Sequence, residues 1–283
     1  MAGQKMTPNG SYRSMPRAML EREYSPSSMV GGDISGYLAA YAERSAKARR
    51  DFPCREDVRY GGSQAEVLDF FPAPVRDAPL FVFVHGGYWQ ELSQKESAPM
   101  AAQLLAAGFA FATLNYVLAP QGTIELMVAQ VARALSFLQK NAPDLGFDRS
   151  RITLCGHSAG AHLAAMQITL AHPPFDREGL EHLVLLSGIY DLDPIPLTSI
   201  NDPLGLDARR AHAVSPMFLA PTAHPRVTVA VAERDTGEFR RQSKDFALHL
   251  GRHGLDASYL LVSGRDHFDI ILDFSFVLAE LRK

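Results

Sequence analysis

The chain has 283 residues, 47% hydrophobic and 21% charged, and its 28 basic and 31 acidic side chains give a formal net charge of −3. Those values suit a folded α/β protein with a sizeable core and exclude a disordered polymer. They also exclude a nucleic-acid binder held mainly by phosphate contacts, and no apolar run approaches the roughly 18 residues of a membrane helix.

Residues 1–30 hold Gly, Pro, Ser and Met without an apolar period and read as an extended arm. Residues 33–50 read as a helix, capped by Asp33, with Tyr37, Leu38, Tyr41 and Ala42 at helical spacing. The eight basic and four acidic side chains over 1–50 read as a solvated face. Short β-like runs at 58–60 and 67–71 flank Gly61-Gly62-Ser63 and predict a hairpin. Strands and helices then alternate. The apolar run 80–84 predicts a strand buried on both faces. Helices are predicted over 95–107, 123–140, 158–170, 238–252 and 268–282, with strands over 109–115, 151–155, 183–187, 226–231 and 257–262. The alternation predicts an α/β fold: a mainly parallel, eight-stranded sheet with helices on both faces. The proline-rich segment 190–225 is too long for an ordinary connection and reads as a small lid insertion or pocket wall. The domain reading is an N-terminal arm and helix over 1–56, packed on a main α/β domain over 57–283 that carries the insertion.

Two cysteines, Cys54 and Cys155, make neither a disulfide framework nor a zinc knuckle. Polar residues follow Met1 where a secretory signal would be apolar. A cytoplasmic protein with no membrane or nucleic-acid partner is expected, and a homodimer is left open.

Gly156-His157-Ser158-Ala159-Gly160 matches G-x-S-x-G. Composition alone would produce such a match about 0.1 times in a chain of this length, so its context decides its weight. It follows a predicted strand and opens a predicted helix, the strand–turn–helix of a nucleophile elbow. His85-Gly86-Gly87-Tyr88-Trp89 follows the strand 80–84. Backbone amides in such a loop can stabilise the oxyanion of acyl transfer. The best donors are Gly87, Tyr88 and Ala159, with Gly86 weaker, and His85 is expected to shape the loop. Trp89 reads equally as core or as a substrate contact.

Serine needs a base and the base an orienting carboxylate. His267, in Gly264-Arg265-Asp266-His267-Phe268, follows the last predicted strand and should project from the edge that carries Ser158. Asp235 is the preferred acid and Glu233 the runner-up; Asp191 and Asp193 are expected to brace the insertion. His249 and His253 have metal-binding spacing but no acidic third ligand, so no metal is expected.

Together these segments, with Ser187-Gly-Ile-Tyr-Asp-Leu192 and Glu233-Arg-Asp-Thr-Gly-Glu-Phe239, resemble the α/β-hydrolase superfamily. More narrowly, they resemble kynurenine formamidases (arylformamidases) and the esterases grouped with them. The resemblance covers residues 57 to 280. It implies Ser158 as nucleophile, Asp235 as acid, His267 as base, no cofactor, and N-formylkynurenine as the small-molecule acyl substrate. A short-chain carboxylesterase is the alternative. Tyr88, Trp89, Tyr190 and Phe268 are the aromatic candidates for holding an aryl ring.

Overall fold

The computed structural model describes residues 10–282. Strands β1 (Arg55–Arg59), β2 (Val67–Phe71), β3 (Ala78–Val84), β4 (Ala110–Leu114), β5 (Phe147–His157), β6 (Leu180–Leu186), β7 (Arg226–Ala232) and β8 (Ala257–Val262) build one eight-stranded sheet. Its order is β1-β2-β4-β3-β5-β6-β7-β8. β2 runs antiparallel to β1 and β4, and the other neighbours are parallel.

The period of two along β3 divides the core. Leu80, Val82 and Val84 face one side with helices α4 (Ile124–Lys140), α6 (Ala159–Gln167) and α8 (Gly237–Arg252). Phe81 and Phe83 face the other with α2 (Ser35–Asp51), α3 (Ala101–Ala106) and α9 (Ser275–Leu281). Both faces are covered, which is why the central strands read as unbroken apolar runs. Thr123 and Thr236 start α4 and α8 by accepting from Leu126 N and Phe239 N. Among the described residues no helix is long and apolar enough to cross a membrane.

Three expectations change. The helix expected over 95–107 is a turn at Gln94–Glu96 followed by α3. Pro99 disfavours helical backbone at Ala98, and Ala98 N is spent on Ser45 Oγ. The last helix is also interrupted, with a turn at Asp269–Ile271 before α9. The arm expected over 1–30 lies outside the described residues up to residue 9. From residue 10 it is not extended but folds into turns around α1 (Arg17–Glu23). Leu20 and Tyr24, four residues apart on one side of that helical segment, are buried, a spacing that the surrounding polar residues obscured.

Candidate active site

The strands from β3 to β8 all run parallel, so the segments that follow them collect at one edge of the sheet. β5 delivers Ser158 in an unusual backbone state, φ 54° and ψ −119°. Its N–H is held by Leu186 O at 2.8 Å. The flanking glycines are forced by close approach. A Cβ on Gly156 would stand 2.2 Å from Gly160 O, and one on Gly160 would stand 2.1 Å from Val84 O. The helix α6 begins directly after the serine.

β3 is the neighbour of β5, so the loop after β3 runs beside the elbow. A Cβ on Gly86 would lie 3.0 Å from Ser158 Cβ. Gly87, Tyr88 and Trp89 take successive φ values of 94°, 50° and 61°. Among the described residues, the amides of Gly87, Tyr88 and Ala159 have no protein acceptor. His85 Nδ1 donates to Gly86 O at 2.9 Å, and its ring stacks on Tyr116 at 4.3 Å. Burial pushes its pKa down to about 4, so it braces the loop as a neutral ring.

His267 Nδ1 lies 3.1 Å from both Asp235 carboxylate oxygens, and both residues are buried. The edge of Phe239 covers the imidazole at 5.0 Å. Glu233 is exposed and accepts from Ser263 Oγ and Gly264 N at 2.9 and 2.7 Å, so it braces the loop after β8 and does not reach the imidazole. Asp191 accepts from Asp193 N at 3.0 Å, inside the start of the insertion. His249 and His253 donate to the carbonyls of Leu219 and His249.

Several contacts around His267 escaped sequence reasoning. His157 Nε2 donates to His267 O at 2.8 Å. Burial, followed by the neighbouring His267, pushes the His157 pKa down to about 3. On the outer side, α2 holds the residues that flank His267: Tyr37 donates to Asp266 Oδ2 at 2.9 Å and Tyr41 to Phe268 O. Glu23 and Tyr24 grip the neighbouring acid loop. Glu23 O accepts from Thr236 Oγ1 at 2.7 Å, and the Tyr24 hydroxyl donates to Glu238 Oε2 at 3.0 Å. The Tyr88 hydroxyl donates to Tyr24 O. The only sequence signal was the spacing of Tyr37 and Tyr41, which read simply as a helix.

A cavity of about 230 Å³ opens over the site. Ser158, His157, His267, Gly87, Tyr88 and Phe268 line it. Two of the aromatic candidates are corrected. Trp89 is fully buried with its indole edge-on to His162 at 5.2 Å, and Tyr190 is fully buried and stacked on Phe246 at 4.2 Å. Neither reaches the cavity, because each ring is used in packing. The wall is also distributed differently from expectation. The segment 190–225 contributes Ile200, whereas Ser25, Pro26, Ser27, Ile34, Leu38 and Tyr41 come from the N-terminal region.

Kynurenine formamidase of Danio rerio is 38% identical over 95% of this chain and 96% of its own length. The chain belongs to the kynurenine formamidase family. The Drosophila melanogaster kynurenine formamidase agrees, at 36% identity over 76% of the chain and 75% of its own length. Residues 68–183 match the BD-FAE family. A Silicibacter sp. crystal structure described as a candidate thioesterase superposes with a TM-score of 0.84 at 27% identity, covering 93% of this chain and 99% of that one. A Pyrobaculum calidifontis esterase shares the fold, with a TM-score of 0.71 at 17% identity over 94% of each chain. The α/β-hydrolase fold and a hydrolase identity follow.

Proposed function

We propose that this kynurenine formamidase family member is a serine hydrolase that cleaves N-formylkynurenine to formate and kynurenine. The observation that carries the reading is the near full-length likeness to kynurenine formamidases, joined to one cavity lined by both Ser158 and His267. Ser158 Oγ attacks the formyl carbon while His267 Nε2 takes the hydroxyl proton. Asp235 holds Nδ1–H and stabilises the imidazolium that forms. The tetrahedral oxyanion is met by the amides of Gly87, Tyr88 and Ala159. His267 then returns the proton to the aniline nitrogen as the C–N bond breaks. Water, deprotonated by the same imidazole, attacks the formyl–Ser158 ester and releases formate. Tyr88 and Phe268 supply aromatic surface for the aryl ring, and Leu38 and Ile34 add apolar wall.

Esterase LipQ of Mycobacterium tuberculosis is 34% identical over 44% of this chain and 31% of its own length, and this favours a second reading as a short-chain carboxylesterase. Turnover of N-formylkynurenine beside a short p-nitrophenyl ester separates them. Formamide cleavage at the higher kcat/KM is expected; cleavage of esters alone overturns the formamidase reading.

A further inference from the structure

The cavity over Ser158 does not end at its apolar wall. Ser25, Ser27 and Ile200 also line a second, shallow hollow shared with Glu21, Arg22 and Ser28. The two hollows therefore adjoin at the turn that follows α1. The deep part suits an aryl ring. The outer part is polar, and its charged groups differ in how they are engaged.

Glu21 is committed. It accepts from Ser199 N and Ser199 Oγ at 2.9 Å each, and Arg17 Nε stands 3.6 Å away. Glu91, an exposed residue of the lining of the cavity over Ser158, repels a carboxylate carried by a ligand there. Arg22 is exposed, and among the described residues its guanidinium has no acceptor; Ser28 and Ser25 engage only its backbone oxygen. Ser25 and Ser27 hydroxyls lie 3.0 Å apart. One of them donates to the other, which leaves one hydroxyl proton free for a ligand. A guanidinium and a free hydroxyl lining one hollow are matched to a carboxylate.

We propose that Arg22, with the Ser25–Ser27 pair, binds the distal carboxylate of an aryl formamide whose ring fills the apolar cavity. This rests on the formamidase reading and assigns the residues that hold the amino-acid tail of its substrate. The formyl group then faces Ser158, and the tail leaves through the shared mouth. Arg22 is a specificity residue and takes no part in bond breaking. Its attraction is screened by solvent, so the gain is modest and salt-sensitive.

The test compares Arg22→Gln with wild type on N-formylkynurenine and on formanilide, which has no carboxylate. An exposed arginine can be replaced without disturbing the core. The expected result is a KM for N-formylkynurenine raised about three- to fivefold with kcat retained, and formanilide kinetics unchanged. Added salt should narrow the wild-type difference between the two substrates, and Arg22→Lys should recover part of it. An equal loss on both substrates, or no loss on either, overturns the proposal. A wild type that cleaves formanilide but shows no preference for the carboxylate-bearing substrate also overturns it, with the formamidase reading still standing. A wild type that cleaves neither formamide sinks that reading, and this proposal with it.

Discussion

Ser158 sits at φ 54° because the chain must turn from β5 into α6 within one residue. An L-residue disfavours that angle, and the cost is held by the surrounding contacts. Removal of its hydroxyl should leave the turn intact. Ser158→Ala is expected to lower kcat by about 10³-fold or more and to abolish labelling by an organophosphonate probe, with little change in urea midpoint. Labelling that survives would place the nucleophile elsewhere. Gly160 gives the opposite separation. Its added Cβ would fall 2.1 Å from Val84 O and 2.4 Å from His85 O, both backbone atoms that cannot swing aside. Gly160→Ala should destabilise the fold by about 3 kcal/mol, measured by urea unfolding. A midpoint close to wild type would contradict the packing described for β3 and α6.

At the scale of elements, the spacing of strands sets the difficulty. Neighbouring strands lie about 4.8 Å apart, and β8 is three places from β5, so His267 starts roughly 14 Å from the elbow. The loop after β8 must fold back across the end of β7. It is held there by Arg234 N donating to Arg265 O at 2.9 Å, by His157, and by Tyr37 and Tyr41 from α2. α2 thus serves the site from outside the sheet, since Tyr41 also lines the cavity. Tyr37→Phe removes one of these ties and keeps the ring contact with Phe268, whose centroid lies 5.3 Å away. The expected outcome is a kcat loss of about three- to tenfold with KM nearly constant. A change in KM alone would make Tyr37 a wall residue and not a brace for the loop.

Across the whole molecule, four buried histidines are held as neutral rings. His85, His162 and His182 are pushed down to about 4 and His157 to about 3, in each case first by burial. The unfolded chain takes up protons at these rings below about pH 6.5, where the folded chain still refuses them. Their contribution to stability is therefore complete above about pH 6.5 and is lost as pH falls toward 4 and 3. Asp191 opposes this. Burial pushes its carboxyl up to about 6, so its contribution is present below the usual carboxylate range and lost as pH rises through 6. Four rings outweigh one carboxyl, and Tm should fall steadily from pH 6.5 to pH 4 in thermal scans. A Tm that is flat or rising over that interval would contradict the neutral burial of these rings.

The sequence by itself determined the layered α/β class, the eight strands, and the order of the residues that gather at the site. These follow from short-range rules: apolar period, turn residues, and the glycines that a sharp strand-to-helix turn demands around Ser158. It also narrowed the acid to Asp235 or Glu233, two residues apart on one loop. Only the tertiary structure separated them, because the choice depends on which carboxylate faces inward when β7 and β8 lie side by side. The same holds for Trp89 and Tyr190, whose aromatic character suits a pocket and a core equally. It holds again for the N-terminal region, whose tyrosines and serines make the wall of the cavity. Contacts over two hundred residues of separation, such as Tyr37 with Asp266, leave no periodic trace in the chain. They arise from packing, which fixes partners only after the sheet has brought distant segments to one edge.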